Sequence, residues 1–360
     1  MYRPTAASIW NSFRSSGKRH LLLTGGHGTG KTSRINELHA GMPGIITYAV
    51  PQNGVYLQSY PNGEKIQIGL YDPQLPGLEN KMRICPESFE TQAVSAVRKL
   101  AQAASEWIFI DEIGYLESGS ASYQTALRKL FEQKCVIAAV RKQDTAFLLE
   151  IQNRPDVFCI NLDAPFGNTG CVIMASGQSK RFGSNKLMAD FRGVPMIQHI
   201  LCATQGIFKR RVVVTRHPEI VELCQEQGVH TILHHFPYRS DTVRLGLASI
   251  GGADSCMFCP ADQPLLSQNT VASLVLCAAH DQSSIWRPCF GGNPGAPVLF
   301  PRWTFEELVN LPQGKGGGLL LRRYPERIRM LPVSNPAELM DVDDHAALEK
   351  LLQLSKNNRF

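Results

Sequence analysis

No apolar stretch in these 360 residues approaches the ~20 needed to cross a bilayer, so a membrane-spanning chain is not expected. The opening run, MYRPTAASIWNSFRSSGKRH, lacks the continuous apolar core of a secretory signal. Trp10 and Phe13, at helical spacing, suit a short docked helix instead. No block of Lys and Arg with interleaved aromatics is found, which argues against a nucleic-acid track. There is no internal repeat and no low-complexity tract. The ten cysteines lack the spacing of a metal site. Cys256-Met257-Phe258-Cys259 has neither a second ligand pair nor a helix start, and reads as a buried strand with core-packing thiols. His234-His235 has no partner at metal-ligand spacing, so these residues are read as loop or surface positions. Reduced thiols without a secretory signal point to the cytoplasm. The final residues, Lys356 to Phe360, read as a frayed tail.

What is present is 43% hydrophobic and 19% charged, the balance of a globular chain, with a formal charge of +6 that suits polyanionic small molecules. The length is comfortable for two domains. Two glycine-rich, lysine-bearing loops each follow a short apolar strand and are expected to open a helical segment. The first is Gly25-Gly26-His27-Gly28-Thr29-Gly30-Lys31-Thr32 behind Leu21-Leu22-Leu23. The second is Gly177-Gln178-Ser179-Lys180-Arg181-Phe182-Gly183, with Lys186 behind it, after Val172-Ile173-Met174. Two loops of different chemistry imply two nucleotide sites.

The spacing predicts strands at 20–24, 45–50, 54–59, 64–70, 107–110, 136–140 and 157–161. Helices are expected at 31–40, 87–105, 120–133 and 144–152. Pro, Gly and Asn across 161–170 mark a boundary. A second series follows, with strands at 171–175, 211–215, 229–233 and 255–259 and helices at 194–206, 218–227 and 241–250. The fold class is therefore α/β with two mainly parallel, helix-covered sheets: a P-loop domain over 1–163 and a Rossmann-like domain over 168–360.

The first loop fits G-x-x-x-x-G-K-[ST] completely. Gly25, Gly28 and Gly30 let backbone N–H groups curl around phosphates, followed by Ser33 on the opening helix. Lys31 neutralises β/γ charge, and Thr32 offers its hydroxyl to Mg²⁺. Asp111-Glu112, ending the apolar run Ile108-Phe109-Ile110, supplies a second metal contact and a group to orient water. The combination LLLTGGHGTGKTS with IFIDEIGYLE resembles the small P-loop nucleoside-triphosphatases of the THEP1 type, over about residues 18–163. That resemblance implies hydrolysis of NTP to NDP, with ATP or GTP as substrates.

The second loop has neither the G-K-[ST] ending nor the G-x-G-x-x-G spacing. Arg181 and Lys186 on a turn after the first strand suit a triphosphate gripped by Gly177, Ser179, Gly183 and two cations. Asp262, at the end of strand 255–259, is the candidate Mg²⁺ ligand across from that loop. MASGQSKRFGSNKL, YRSDTVRLGL, DQPL, GNPGAPVLF and DVDD resemble the MobA-like nucleotidyltransferases, in particular the molybdenum cofactor cytidylyltransferase branch, over about 170–352. The resemblance implies attack of a pterin phosphate on the α-phosphorus of CTP, with pyrophosphate leaving and molybdopterin as acceptor. It assigns Ser240 to the nucleotide site. It makes Ala175-Ser176, where guanylyl relatives carry two glycines, the mark of cytosine. Ala261 departs mildly from the family pattern, and His345 stands near a usual proline. Gly314-Lys315-Gly316-Gly317-Gly318-Leu319 replaces G-D-x-G-A-R, so acceptor handling differs most.

These readings combine into a bifunctional enzyme serving molybdenum hydroxylase maturation, with a hydroxylase or its maturation factors as partners. Two rivals are a P-loop switch that delivers cofactor to a client, and a sugar- or polyol-nucleotide pyrophosphorylase.

Overall fold

The computed structural model describes residues 2–75 and 81–357. The last helix, His345–Asn357, runs to the end of this range, so the expectation for the tail beyond it lies outside the described residues. The chain divides into two compact units: 16–165, and 166–360 together with the segment up to Ser15.

The unit over 16–165 is built on eight strands: β1 (His20–Gly25), β2 (Gly44–Val50), β3 (Gly54–Tyr60), β4 (Lys65–Tyr71), β5 (Met82–Ile84), β6 (Trp107–Ile113), β7 (Cys135–Arg141) and β8 (Val157–Asn161). Their order is β5-β4-β3-β2-β6-β7-β1-β8. From β2 through β6, β7 and β1 to β8 the pairing is parallel. Leu21–Leu23 and Val136–Val140 are accordingly buried without alternation, as strands covered on both faces must be. β2 to β5 pair antiparallel, because the short links between them leave no room for a crossover. Helix formation over 86–101 includes a π-helical stretch at Phe89–Ala93 and stops at Ala101, short of the expected 105. Ser120 and Thr145 cap the next two helices, accepting N–H bonds from Tyr123 and Leu148. β6 does not end before Asp111-Glu112. It continues to Ile113, with a register slip against β7 between Ile110 and Ile113.

The other unit carries β9 (Thr169–Ala175), a hairpin of β10 (Asp190–Phe191) and β11 (Val194–Pro195), then β12 (Arg210–Thr215), β13 (His230–Leu233), β14 (Ser255–Pro260), β15 (Ile285–Phe290), β16 (Asn293–Pro294), β17 (Val298–Pro301) and β18 (Ile328–Pro332). The main sheet runs β13-β12-β9-β14-β17-β15-β16, with β18 on β15. β13, β12, β9 and β14 are parallel, and β17 turns antiparallel on β14. The chain leaves β9 toward β12 and returns to its other side at β14. This creates a topological switch point, where open α/β sheets bind ligands beyond their carboxyl ends. The helix Arg239–Ser249 lies hard against β9: a Cβ at Gly246 would stand 2.4 Å from Cγ1 of Val172.

Two expectations change here. The segment up to Ser15 falls with the unit over 166–360, not with the P-loop unit. Ile9 and Phe13 of the helix Ala6–Ser16 are buried, and its polar residues bond the helix Gln268–His280. Ser12 Oγ donates to the Ser273 carbonyl at 3.1 Å, and Ser273 Oγ donates back to the Ser8 carbonyl at 3.2 Å. The second glycine loop also opens no regular helix, since a 3₁₀ turn, Lys186–Met188, and the β10–β11 hairpin follow it. Cys256 and Cys259 do lie buried in β14, with Cys259 Sγ 3.8 Å from Cys171 Sγ, and neither forms a disulfide.

Candidate functional sites

In the unit over 16–165, β1 delivers the first glycine loop to the carboxyl edge of the sheet. Gly30 takes φ 94° as the residue before the helix Lys31–Leu38, a left-handed conformation that strains any residue with a Cβ. Gly25 and Gly28 are also left-handed, at φ 142° and 73°. Lys31 Nζ folds over its own loop, donating to the carbonyls of Gly25 at 2.9 Å and Gly26 at 3.1 Å. It lies 3.6 Å from Glu112 Oε1. Thr32 Oγ1 donates to Asp111 Oδ1 at 3.2 Å. Burial raises the Asp111 pKa above the ordinary value, with the Thr32 bond opposing. A hydroxyl and a carboxylate at this distance are the hard oxygen donors that Mg²⁺ accepts. Ser33 is exposed on the helix. The sequence reading missed Asp163, whose carboxylate accepts the Gly26 N–H at 3.0 Å and pairs with Lys142 at 2.8 Å. It also gave no role to Glu117, a buried carboxylate that accepts the Gly114 N–H at 2.9 Å.

In the other unit, the loop after β9, the 3₁₀ turn at Lys186, the turn after β14 and the late Asp341–Asp344 segment meet at the switch point. They line a cleft of about 280 Å³ that includes Gly177, Ser179, Arg181, Lys186, Asp262 and Asp343. Lys186 Nζ is buried between two carboxylates, 2.6 Å from Asp262 Oδ2 and 3.2 Å from Asp343 Oδ1. Arg181 Nη2 reaches the other Asp343 oxygen at 2.9 Å. Partial burial works to raise the Asp343 pKa, but its bonds to Lys186 and Arg181 prevail and hold it low. The Val342 N–H donates to the Asp262 carbonyl at 2.9 Å, fastening the late segment to the metal-candidate turn. Two carboxylates converging on one ammonium form a donor set that a divalent cation also fits.

Ser179 is left-handed at φ 49°, and its Oγ accepts the Lys186 N–H at 3.3 Å. Gly183 sits at φ 77°. His345, which stands near a usual proline of the family pattern, stacks on Phe182 with ring centroids 3.9 Å apart. Ala175 is buried at the end of β9, and Ser240 is buried in the first turn of Arg239–Ser249. His234 and His235 both lie in the loop after β13, as their spacing suggested, but they differ in burial. His234 is only 5% exposed, whereas His235 is exposed. Ser176 Oγ lies 3.0 Å from the Val214 carbonyl and 2.8 Å from His234 Nε2. Since the hydroxyl proton serves the carbonyl, Nε2 carries the donated hydrogen. This leaves His234 Nδ1 as a buried acceptor with no hydrogen-bond partner. Its burial in the sequence was invisible because the pairing spans 58 residues.

Family models match both units: an NTPase family over residues 20–165, and a MobA-like NTP transferase domain over 171–328. The chain joins an NTPase domain to a MobA-like NTP transferase domain. The nucleoside-triphosphatase THEP1 of Thermotoga maritima is 28% identical over 158 residues, covering 40% of this chain and 86% of the relative. A probable molybdenum cofactor guanylyltransferase of Bacillus cereus is 31% identical over 101 residues, 27% of this chain and 50% of that protein. A 3-deoxy-manno-octulosonate cytidylyltransferase of an Acidovorax species is 32% identical over 92 residues, 24% of this chain and 35% of that protein. The chain thus spans half or less of these two transferase relatives, and their names disagree on the base.

Proposed function

We propose that the transferase domain joins CMP from CTP to the phosphate of a molybdopterin, releasing pyrophosphate, and that the NTPase domain hydrolyses a nucleoside triphosphate at a separate site. The observation that carries the first half is the convergence of Arg181, Lys186, Asp262 and Asp343 beyond the ends of β9 and β14. Arg181 and Lys186 neutralise the triphosphate, and the Gly177–Gly183 turn presents backbone N–H groups to it. Arriving nucleotide frees both cations from Asp343. Ala175 and Ser176 narrow the base position, with His234 Nε2 and the Val214 carbonyl fixing the Ser176 hydroxyl. Ser240, in the first turn of Arg239–Ser249, is assigned to the nucleotide with them. In the NTPase domain, Gly25, Gly28 and Gly30 shape the phosphate cradle, Lys31 neutralises charge, and Glu112 orients the attacking water.

Bound Mg²⁺ would supply charge neutralisation across the phosphates, held by Asp262 with Asp343 in one site and by Thr32 with Asp111 in the other. Molybdenum hydroxylase maturation is the role this chemistry fits, with a hydroxylase or its maturation factor receiving the product.

A second reading, transfer to a sugar acid, is favoured by the similarity to the octulosonate enzyme and by Lys315 in place of a carboxylate. Pyrophosphate release from CTP and GTP, with molybdenum-loaded pterin phosphate or a sugar acid as acceptor, tests both. The expected result is faster release from CTP with the pterin, and a loss on the order of 10²–10³ in Asp262→Asn. Preference for GTP overturns the cytidylyl assignment. Release only with the sugar acid selects the second reading.

A further inference from the structure

β7 is inserted between β1, which carries the glycine loop, and β6, which carries Asp111-Glu112. Its last residue, Arg141, lies in register with Gly25, and the preceding Val140 with Ile113. A guanidinium therefore rises from the carboxyl edge of the sheet between the loop that surrounds phosphates and the turn that follows Glu112. A Cβ at Gly114 would stand 3.6 Å from Arg141 Cδ, so the side chain runs along that turn. Its guanidinium carbon lies 5.6 Å from the centre of the Tyr115 ring, and the residue is exposed. Among the described residues no oxygen accepts a hydrogen bond from this guanidinium. The neighbouring cations are engaged: Lys142 with Asp163, and Lys31 with its own loop and Glu112.

We propose that Arg141 is a catalytic residue of NTP hydrolysis, moving from the Tyr115 ring onto the γ-phosphoryl oxygens as charge builds there. The inference rests on the NTPase reading above. In the step, the water oxygen bonds the γ-phosphorus and its proton passes to Glu112. The bond to the β–γ bridging oxygen breaks, and that oxygen leaves with the electron pair on the NDP. Arg141 gives up and takes no proton; it neutralises the oxygens that carry the shifting charge. An arginine supplied within the same chain is worth 10³ or more in turnover where it acts this way. The ring contact holds the side chain extended beside the site, and a cation–π contact at an exposed position is weak enough to be exchanged for a phosphate.

The full chain is assayed with ATP and GTP for turnover, for affinity toward a non-hydrolysable triphosphate, and for capture of NDP with aluminium fluoride. Arg141→Ala should lose about 10³ in kcat and fail to capture the fluoride complex, while analogue affinity stays near wild type. Arg141→Gln, which keeps length and polarity without charge, should behave alike and guards against loss of folding. Arg141→Lys should recover part of the rate. Wild-type turnover with unchanged turnover in both neutral variants overturns the role of Arg141 and leaves the NTPase reading standing. A fall in analogue affinity equal to the fall in turnover also overturns it, in favour of ground-state binding. Absence of wild-type hydrolysis with every triphosphate removes the NTPase reading and this inference together.

Discussion

A carboxylate is costly to bury unless something compensates its charge. Glu117 is 2% exposed, with the Gly114 N–H as one donor to it. Burial pushes its pKa up to about 7; the backbone N–H bonds of Glu117 and Gly114 and the Arg141 charge act the other way, while Glu112 adds to the rise. The folded domain thus holds a proton that the unfolded chain releases near 4.5. Stability from this group is complete below 4.5 and is lost as pH rises through about 7. His20 acts in the opposite sense: burial lowers it to about 4 from 6.5, so its contribution is present above 6.5 and lost as pH falls through 4. The two windows overlap, and the difference between wild type and Glu117→Gln isolates the carboxylate. Thermal melts should show the P-loop transition of wild type falling relative to the variant as pH rises from 4.5 to 7. Parallel curves would mean that Glu117 stays ionised throughout.

Elements were legible where the signal is local. The glycine loop with Lys31 and Thr32 is a fixed spacing along the chain, and strands such as Leu21–Leu23 and Val136–Val140 are unbroken apolar runs. The signal failed wherever the answer depends on which distant segment arrives. The apolar stripe of Ala6–Ser16 says that the helix docks, not on what, and Ser12 finds its partner at Ser273. Arg141 and His234 acquire meaning only from register and from a half-buried serine, Ser176. The second loop brings Arg181 and Lys186 to the cleft yet opens no helix, because Lys186 must turn back between Asp262 and Asp343. Gly246 shows packing overruling local preference. Helix propensity alone makes Gly→Ala favourable by about 1 kcal/mol. At Gly246 the added methyl would meet Val172 at 2.4 Å, and overpacking of this kind costs about 1–3 kcal/mol. Gly246→Ala should therefore lower the melting temperature of the transferase unit and slow pyrophosphate release through displacement of Ser240, with NTP hydrolysis unaffected. A raised melting temperature would mean that the helix has slack against β9.

The whole molecule interleaves its two units along the chain: the P-loop unit, 16–165, is inserted between the first helix and the rest of the transferase unit. Such an arrangement has a consequence that a simple tandem fusion lacks. A fragment spanning 16–165 keeps its eight-stranded sheet and the contacts Thr32–Asp111 and Gly26–Asp163, and should fold and hydrolyse NTP by itself. A fragment beginning at 166 loses Ile9 and Phe13, both buried, and the bonds of Ser8 and Ser12 to Ser273. Removing a buried Phe alone typically costs 3–5 kcal/mol, a large share of a domain's stability. The fragment 166–360 should therefore be prone to aggregation and poor in pyrophosphate release, although it contains every residue of the Asp262 site. Joining residues 1–15 to it through a flexible linker, with 16–165 removed, should restore solubility and release. Melting curves and pyrophosphate assays on the three fragments check this. Full activity from 166–360 without the helix would mean that Ala6–Ser16 merely covers a surface that can stand open.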